Sequence, residues 1–504
     1  MAQRIVGVNV AHPREVLAAM AGLRDRLGIA VDYPAEAVAD IRPVDITTLP
    51  DHRDIPFVTI DPPDAGDLDQ ALHLSRTKAG YLVRYAISAV GLFIEPGSVL
   101  DREVHARGVT LYGPDGSVPL HPTELAAGVA SLLEGEDRPA YLWHLYLDSA
   151  GGLLESSVEL AQVRSRARLT YDQVQQAYEG RGKLPRQVPT DLTDLLSQVG
   201  MLRIEREIAR GGVSLDLPEQ LIEATNGGFQ LTYRGITDVD EWNAQISLLT
   251  GMAAARMMKE ANIGILRTLP PAREKDYVRL RQVATALDLE WPHDVDYATF
   301  VRSLNSSDAG QAAFLNAAAG LFRGASYLAL PPSKKANGDD VEPEQSSQEK
   351  QSLDDRSDDR SGHAAIASIY SHVTAPLRRL VDRYALETCR CICAGEPIPE
   401  WVTNALPQLP KTMARANQRA ATYERGAVDA LESLILSGRE GEIFDGVVID
   451  TDSNGEPIGI VMLREPAVEA KIHGEDLPVG KDIRVRLVNV GPEGSQFHPV
   501  EDEK

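Results

Sequence analysis

Cysteine is nearly absent: Cys389, Cys391 and Cys393 are the only three in 504 residues, and all fall in "TCRCICAG". A disulfide framework needs wider spacing, and a structural zinc site uses separated pairs with a fourth ligand. On a helix, alternate residues point about 200° apart and cannot share a metal. The three are expected to be small buried residues of a reduced protein. Long apolar runs are lacking too, with nothing approaching about 18 residues and no apolar core in "MAQRIVGVNVAHPREV". The expectation is a soluble, cytoplasmic protein that is not exported and has no membrane contact. Basic residues are outnumbered, 51 against 74 acidic, giving a formal net charge of −23 and a pI of about 4.9. A free-standing nucleic-acid module carries the opposite balance, because neutralising phosphates supplies most of its affinity. Any nucleic-acid role would have to rest on a local basic channel inside an acidic shell.

What is present is a chain 43% hydrophobic and long enough for several domains. "HPREVLAAMAGLRDRLGIA" (12–30) has helical apolar spacing and reads as one amphipathic helix within a 1–50 extension. From 55 to about 160 the pattern is strand-like, and from about 170 to 330 helical patterns dominate. Residues 331–362 are polar, charged and almost free of apolar side chains. They read as a disordered insertion, since such a segment cannot bury enough surface to offset its ordering entropy. Helical patterning is expected to resume at once in "HAAIASIYSHVTAPLRRLVDRYALETC". Five short strands close the chain, which suits a small OB-type barrel at 441–504.

The most demanding stretch is "TIDPPDAGDLDQAL", Thr59 to Leu72, with Asp61, Asp64, Asp67 and Asp69 at a strand end. Like charges that close repel unless a cation sits among them. A solvated acidic turn is one reading. A calcium loop of the EF-hand kind fails on spacing. A catalytic Mg²⁺ site is the third, since two-metal phosphoryl-transfer sites are built from a few carboxylates completed by phosphate oxygens.

The spacing closely resembles the "TIDPxxAxDLDDA" signature of the ribonuclease II / ribonuclease R (RNB) exoribonuclease family. Further blocks follow in the family's order: "PGSVLDREVHARGVTLYGPDGSVPLHPTEL", "VRSRARLTYDQVQ", "SLDLPE", "IGILRTLPPA" and "GHAAIASIYSHVTAPLRRLVDR". The resemblance implies an α+β fold, with an RNB catalytic domain over 51–440, a mixed sheet surrounded by helices, followed by the OB-type barrel. It also implies Mg²⁺-dependent 3′→5′ hydrolysis of single-stranded RNA to nucleoside 5′-monophosphates by two metal ions, with no action on DNA expected. Carried over by position, Asp61, Asp67 and Asp69 are metal ligands, and Asp64, without a family counterpart, is a turn residue. Arg378 matches the catalytic arginine and Arg379 is a second phosphate clamp, because a guanidinium fork engages phosphate bidentately. Tyr112 falls where the family stacks an aromatic ring on RNA, and Glu424 matches a glutamate near the RNA end.

Departures from the family pattern matter equally. Gln70 replaces a fourth aspartate; its amide oxygen is a weaker, uncharged ligand for a hard cation, and the change leaves Mn²⁺ open beside Mg²⁺. Ala89 stands where an aspartate is usual, Ile263 where some members carry a stacking aromatic, and Leu269 in place of a histidine. Two readings follow: a working exonuclease with a leaner metal site, or a weakened RNB-fold protein that binds RNA ends or protein partners. No cold-shock-like barrels fit ahead of the catalytic region, as in a short bacterial form. The acidic, aromatic-poor C-terminal barrel is expected to serve as a lid or protein contact more than as an RNA grip.

Overall fold

The computed structural model describes residues 6–8, 14–63, 65–213, 219–225, 228–234, 236–305, 308–322, 324–331, 361–451, 457–464, 468–491 and 494–500. The polar segment read as an insertion lies almost entirely outside them, as do Asp64 and most of "SLDLPE".

Two closed five-stranded barrels organise the chain. The first is built from β1 (Phe57–Asp61), β2 (Gln70–Arg76), β3 (Gly80–Ser88), β4 (Asp137–Asp148) and β5 (Leu153–Thr170). Neighbours run antiparallel in chain order, and β1 closes the ring by pairing parallel to β5, with Asp61 opposite Thr170. The sheet is mixed, as expected, but closed. Closure removes both edges, which would otherwise expose unpaired backbone groups. The second barrel holds β6 (Ile443–Thr451), β7 (Ile458–Leu463), β8 (Glu469–His473), β9 (Asp482–Gly491) and β10 (Gly494–Pro499). Its ring order β6-β7-β8-β10-β9, with β8 parallel to β10, is an OB-type arrangement around Phe444, Val485, Leu487 and Phe497.

Helices pack around the first barrel. α1 (Arg14–Leu27) buries Val16, Met20 and Leu23, the i, i+4, i+7 stripe that its sequence predicted. α2 (Asp238–Glu260), capped by a Thr237–Asp240 capping box, and α3 (Leu380–Ala394) join the same core. α4 (Leu409–Leu436) runs alongside α1 and reaches the second barrel, where Ser433 bonds Gly491. A separate helical cluster, with Phe300, Phe314 and Leu321, packs on Val447, Ile449 and Met462 of the second barrel. Among the described residues no helix is long and apolar enough to cross a membrane.

Two expectations need correction. Helix does not resume at His363: a two-residue strand pair, Gly362–His363 with Ser368–Ile369, is followed by irregular chain, and helix begins only at Leu380. Pro376 lacks an amide proton and restricts Ala375 before it, while the backbone groups of this stretch are engaged outside any helix. The cysteines also divide, Cys389 and Cys391 being buried and Cys393 exposed near the end of α3.

Candidate active site

The aspartate loop leaves the open end of β1 and returns into β2. Its backbone is fixed from behind: Ser131 Oγ accepts from the Leu68 amide at 3.0 Å and donates to Gly66 O at 2.9 Å. The Ser88 amide donates to Asp69 O at 2.9 Å. These bonds leave the carboxylates on the side facing the irregular chain ahead of α3.

That chain, Thr374 to Arg379, is held on several sides. The Leu377 amide donates to Asp69 Oδ1 at 2.8 Å, joining residues 308 positions apart. The neutral His121 ring donates from Nδ1 to Leu377 O at 2.9 Å, and burial pushes its pKa down to about 4. The Ala375 amide donates to Asp382 Oδ1 at 2.7 Å, and Arg378 O accepts from the Thr110 amide at 3.1 Å.

The two arginines then part company. Arg379 spends Nε and Nη2 on the two oxygens of fully buried Asp382, both at 2.8 Å. This bidentate pair fixes the loop. Arg378 points to the open side: 46% of its side chain is accessible, and its Nε stands 3.8 Å from Asp69 Oδ2, beyond hydrogen-bond reach. The Tyr112 hydroxyl lies beside the same guanidinium. Of the two arginines named from sequence, only Arg378 is accessible beside the carboxylates.

The three aspartates share an electrostatic environment. Burial pushes the Asp61 carboxyl up to about 7; Arg378 opposes that shift and Asp67 adds to it. Burial likewise raises Asp67, and raises Asp69 well above the ordinary carboxylate range, with Arg378 opposing in both cases. Asp61 Oδ2 is buried without a hydrogen-bond partner, a costly condition for a carboxylate. Three desolvated, mutually repelling carboxylates suit a hard divalent cation in charge and donor type. Among the described residues no group of three or more acidic, histidine or cysteine side chains is placed to hold a metal ion. A cation held by these aspartates would therefore need water or substrate oxygens to complete its shell.

Gln70 has one end of its amide engaged. Its side-chain amide donates to the carbonyl of Thr374, tying β2 to the arginine loop. The opposite amide orientation would set oxygen against oxygen, so the nitrogen assignment follows from the contact. Ala89 is fully buried in the apolar core, its amide donating to Pro139 O at 3.2 Å. Leu269 is buried, Ile263 packs against the core, and Glu424 is half-buried on α4 beside Tyr423.

Three residues near the carboxylates were not singled out from sequence. Tyr171 follows Thr170, the β5 residue opposite Asp61; Asn243 of α2 donates to its hydroxyl at 3.4 Å, and the charge of Asp61 helps raise its pKa. Arg168 hydrogen-bonds Pro63 O and opposes the rise of Asp61. Asp382 anchors the arginine loop. A signal existed for the last, in the i, i+3 spacing of "RRLVD" at a helix start.

A cavity of about 550 Å³ adjoins the loop, bordered by Asp67, Thr110, Thr123, Glu124 and Leu377.

Comparison with known proteins identifies the family and the fold. The RNB domain family matches residues 50–389, and the RNase II-type exonuclease C-terminal S1 domain matches 442–497. Ribonuclease R of Aquifex aeolicus is 24% identical over 454 residues, 87% of this chain and 61% of that protein. Ribonuclease R of Escherichia coli is 26% identical over 421 residues, 79% of this chain and 48% of that protein. The chain thus spans about half to three fifths of these curated relatives. Mycoplasma genitalium RNase R, solved with ribose methylated single-stranded RNA, superposes with a TM-score of 0.76 at 17% identity, covering 96% of this chain and 78% of that one. Yeast Ssd1, a pseudonuclease, gives 0.64 at 15% identity, covering 94% and 57%. These two likenesses concern the fold alone. With its catalytic-region match covering well over half of the sequence, the chain belongs to the RNB family.

Proposed function

We propose that this chain is a 3′→5′ exoribonuclease that hydrolyses single-stranded RNA to nucleoside 5′-monophosphates. The observation that carries the reading is the placement of three desolvated carboxylates opposite an accessible arginine fork, with Asp61 Oδ2 left without a partner. Asp61, Asp67 and Asp69 would hold Mg²⁺, or Mn²⁺, in a two-ion arrangement. When bound, the cations neutralise charge on the scissile phosphate and lower the pKa of the attacking water.

The protein's own groups supply the rest. Arg378 receives the phosphate, since its fork is turned to the open side and its nearest carboxylate oxygen lies at 3.8 Å. The Leu377 amide keeps Asp69 Oδ1 in place, so one oxygen of that carboxylate is oriented before substrate arrives. Arg379 and Asp382 set the height of the loop and act as positioning residues. Tyr112, 38% exposed, offers a ring face for a base near the 3′ end, and such stacking is tolerant of sequence. Glu424 remains a candidate contact to the RNA end.

A second reading, a weakened RNB-fold protein that binds RNA ends or protein partners, is favoured by one pair of observations. The Gln70 amide is committed to Thr374, and Ala89 contributes only a buried methyl. Incubating 5′-labelled single-stranded RNA with Mg²⁺, Mn²⁺ or EDTA separates the two. Cation-dependent shortening from the 3′ end that Asp69→Asn abolishes supports the nuclease. Tight RNA binding with no shortening under either cation would establish the binder.

A further inference from the structure

Tyr112 sits on a hairpin of two three-residue strands, Leu111–Gly113 and Gly116–Val118, with Pro114 and Asp115 at its tip. A hairpin that short has no stability of its own. Its position, and with it the tyrosine ring, depends on what grips it from outside.

The grip on the tip comes from α1, ahead of the residues that match the RNB domain. Arg24 donates from Nη1 to Asp115 Oδ1 at 3.0 Å and from Nη2 to Asp115 Oδ2 at 2.7 Å. Nη1 also donates to the Tyr423 hydroxyl of α4 at 3.1 Å. The ion pair is shielded, with 17% of the arginine and 6% of the aspartate side chain accessible. Fixed geometry in a shielded place distinguishes it from a surface pair of little worth. Backbone packing brings the three segments together. A Cβ on Gly113 would lie 2.6 Å from the Tyr423 hydroxyl, and one on Gly426 would lie 2.7 Å from Leu23 of α1. Glycine at both positions lets α1, the hairpin and α4 meet at one junction.

We infer that Arg24 is a positioning residue for the 3′ end of the substrate: through Asp115 it holds the Tyr112 hairpin against the Arg378 guanidinium. The inference rests on the RNA-degrading reading above. It places part of the site's precision in a segment outside the matched RNB residues.

Two measurements test it. Hydrogen–deuterium exchange, which needs no RNA, reads the hairpin directly: Arg24→Ala should speed exchange over 109–118 while leaving β1 to β5 unchanged. Binding of a 5′-fluorescein oligoadenylate of about 12 nucleotides in EDTA reads the consequence. Arg24→Ala and Asp115→Asn should each weaken binding by about 5- to 10-fold, the lower end of a lost stacking contact. Neither should weaken it further in a Tyr112→Ala background. The swapped pair Arg24→Asp/Asp115→Arg should recover much of the loss, which a general loss of folding would not allow. Unchanged exchange in Arg24→Ala overturns the inference. So does weakened binding that adds fully to that of Tyr112→Ala. Faster hairpin exchange with RNA binding unaffected in Arg24→Ala and Tyr112→Ala alike would overturn it by a different route. That result would remove the RNA role given to Tyr112 and leave the Arg24 contact as structure only.

Discussion

Asp61 gives the sharpest test of the carboxylate site, and the test needs no RNA. An ordinary aspartate titrates near 4, and burial lifts this one to about 7. Between these values the folded protein holds a proton that the unfolded chain has released. Stability of the metal-free protein must therefore fall as pH rises through this window, and the full cost is present above about pH 7. A tenfold change in proton affinity is worth about 1.4 kcal/mol, so the cost approaches about 4 kcal/mol, and water on the open side of the site screens it toward about 2. Asp61→Asn removes the titration. In EDTA at pH 8 the variant should be more stable than the natural protein by about 2–4 kcal/mol, and at pH 4 the two should coincide.

For a domain of this size, about 1 kcal/mol moves the melting temperature by about 1–2 °C, so differential scanning calorimetry should show a gap of about 2–8 °C at pH 8. A divalent cation should narrow or close the gap. At a concentration of 100 times its dissociation constant, a ligand of the folded state adds about 2.7 kcal/mol. Mg²⁺ should therefore raise the natural protein's transition at pH 8 and move that of Asp61→Asn far less. An Asp61→Asn variant no more stable at pH 8 than at pH 4, relative to the natural protein, would refute the desolvated-carboxylate argument. Equal Mg²⁺ stabilisation of both proteins would refute Asp61 as a ligand.

Gln70→Asp should tighten cation binding, because a carboxylate replaces an uncharged amide beside Asp69, while removing one hydrogen bond worth about 1 kcal/mol to the arginine loop; isothermal titration with Mn²⁺ beside a steady-state RNA assay checks both parts, and unchanged Mn²⁺ binding would place residue 70 outside the ligand set. His121, buried with its pKa held down to about 4, stays neutral while the unfolded chain takes up a proton below about pH 6.5. Stability should therefore fall as pH drops from about 6.5 toward 4, by about 2 kcal/mol at pH 5 from this residue alone. His121→Gln, which keeps an amide to donate to Leu377 O, should flatten that part of the slope in urea titrations, and an unchanged slope would assign the acid sensitivity elsewhere.

The supply of chemical groups was legible in the sequence because the aspartate loop is local. Asp61, Asp67 and Asp69 lie within one turn between two strands, and their spacing carries information without any long-range contact. The five C-terminal strands and the amphipathic stripe of α1 were legible for the same reason, each being a periodicity written within a single element. Closure of the first barrel was not, because it depends on β1 pairing with β5 about a hundred residues later. Nor did the sequence show which groups were already engaged. The Gln70 partner is a backbone carbonyl, which every residue carries and which leaves no mark on composition. Arg378 and Arg379 are identical in type and adjacent in sequence. Only the extended backbone at Arg379, φ −137° and ψ 122°, followed by the first turn of α3, turns one fork onto Asp382 and leaves the other facing the aspartates. A motif thus counts donors and ligands, whereas the fold shows which of their atoms are already engaged. In this chain it engages the amide nitrogen of Gln70, not the oxygen that could ligate a cation, and two of the three guanidinium nitrogens of Arg379. On the proposed reading Asp61, Asp67, Asp69 and Arg378 meet the substrate, and Arg24 sets where Tyr112 stands.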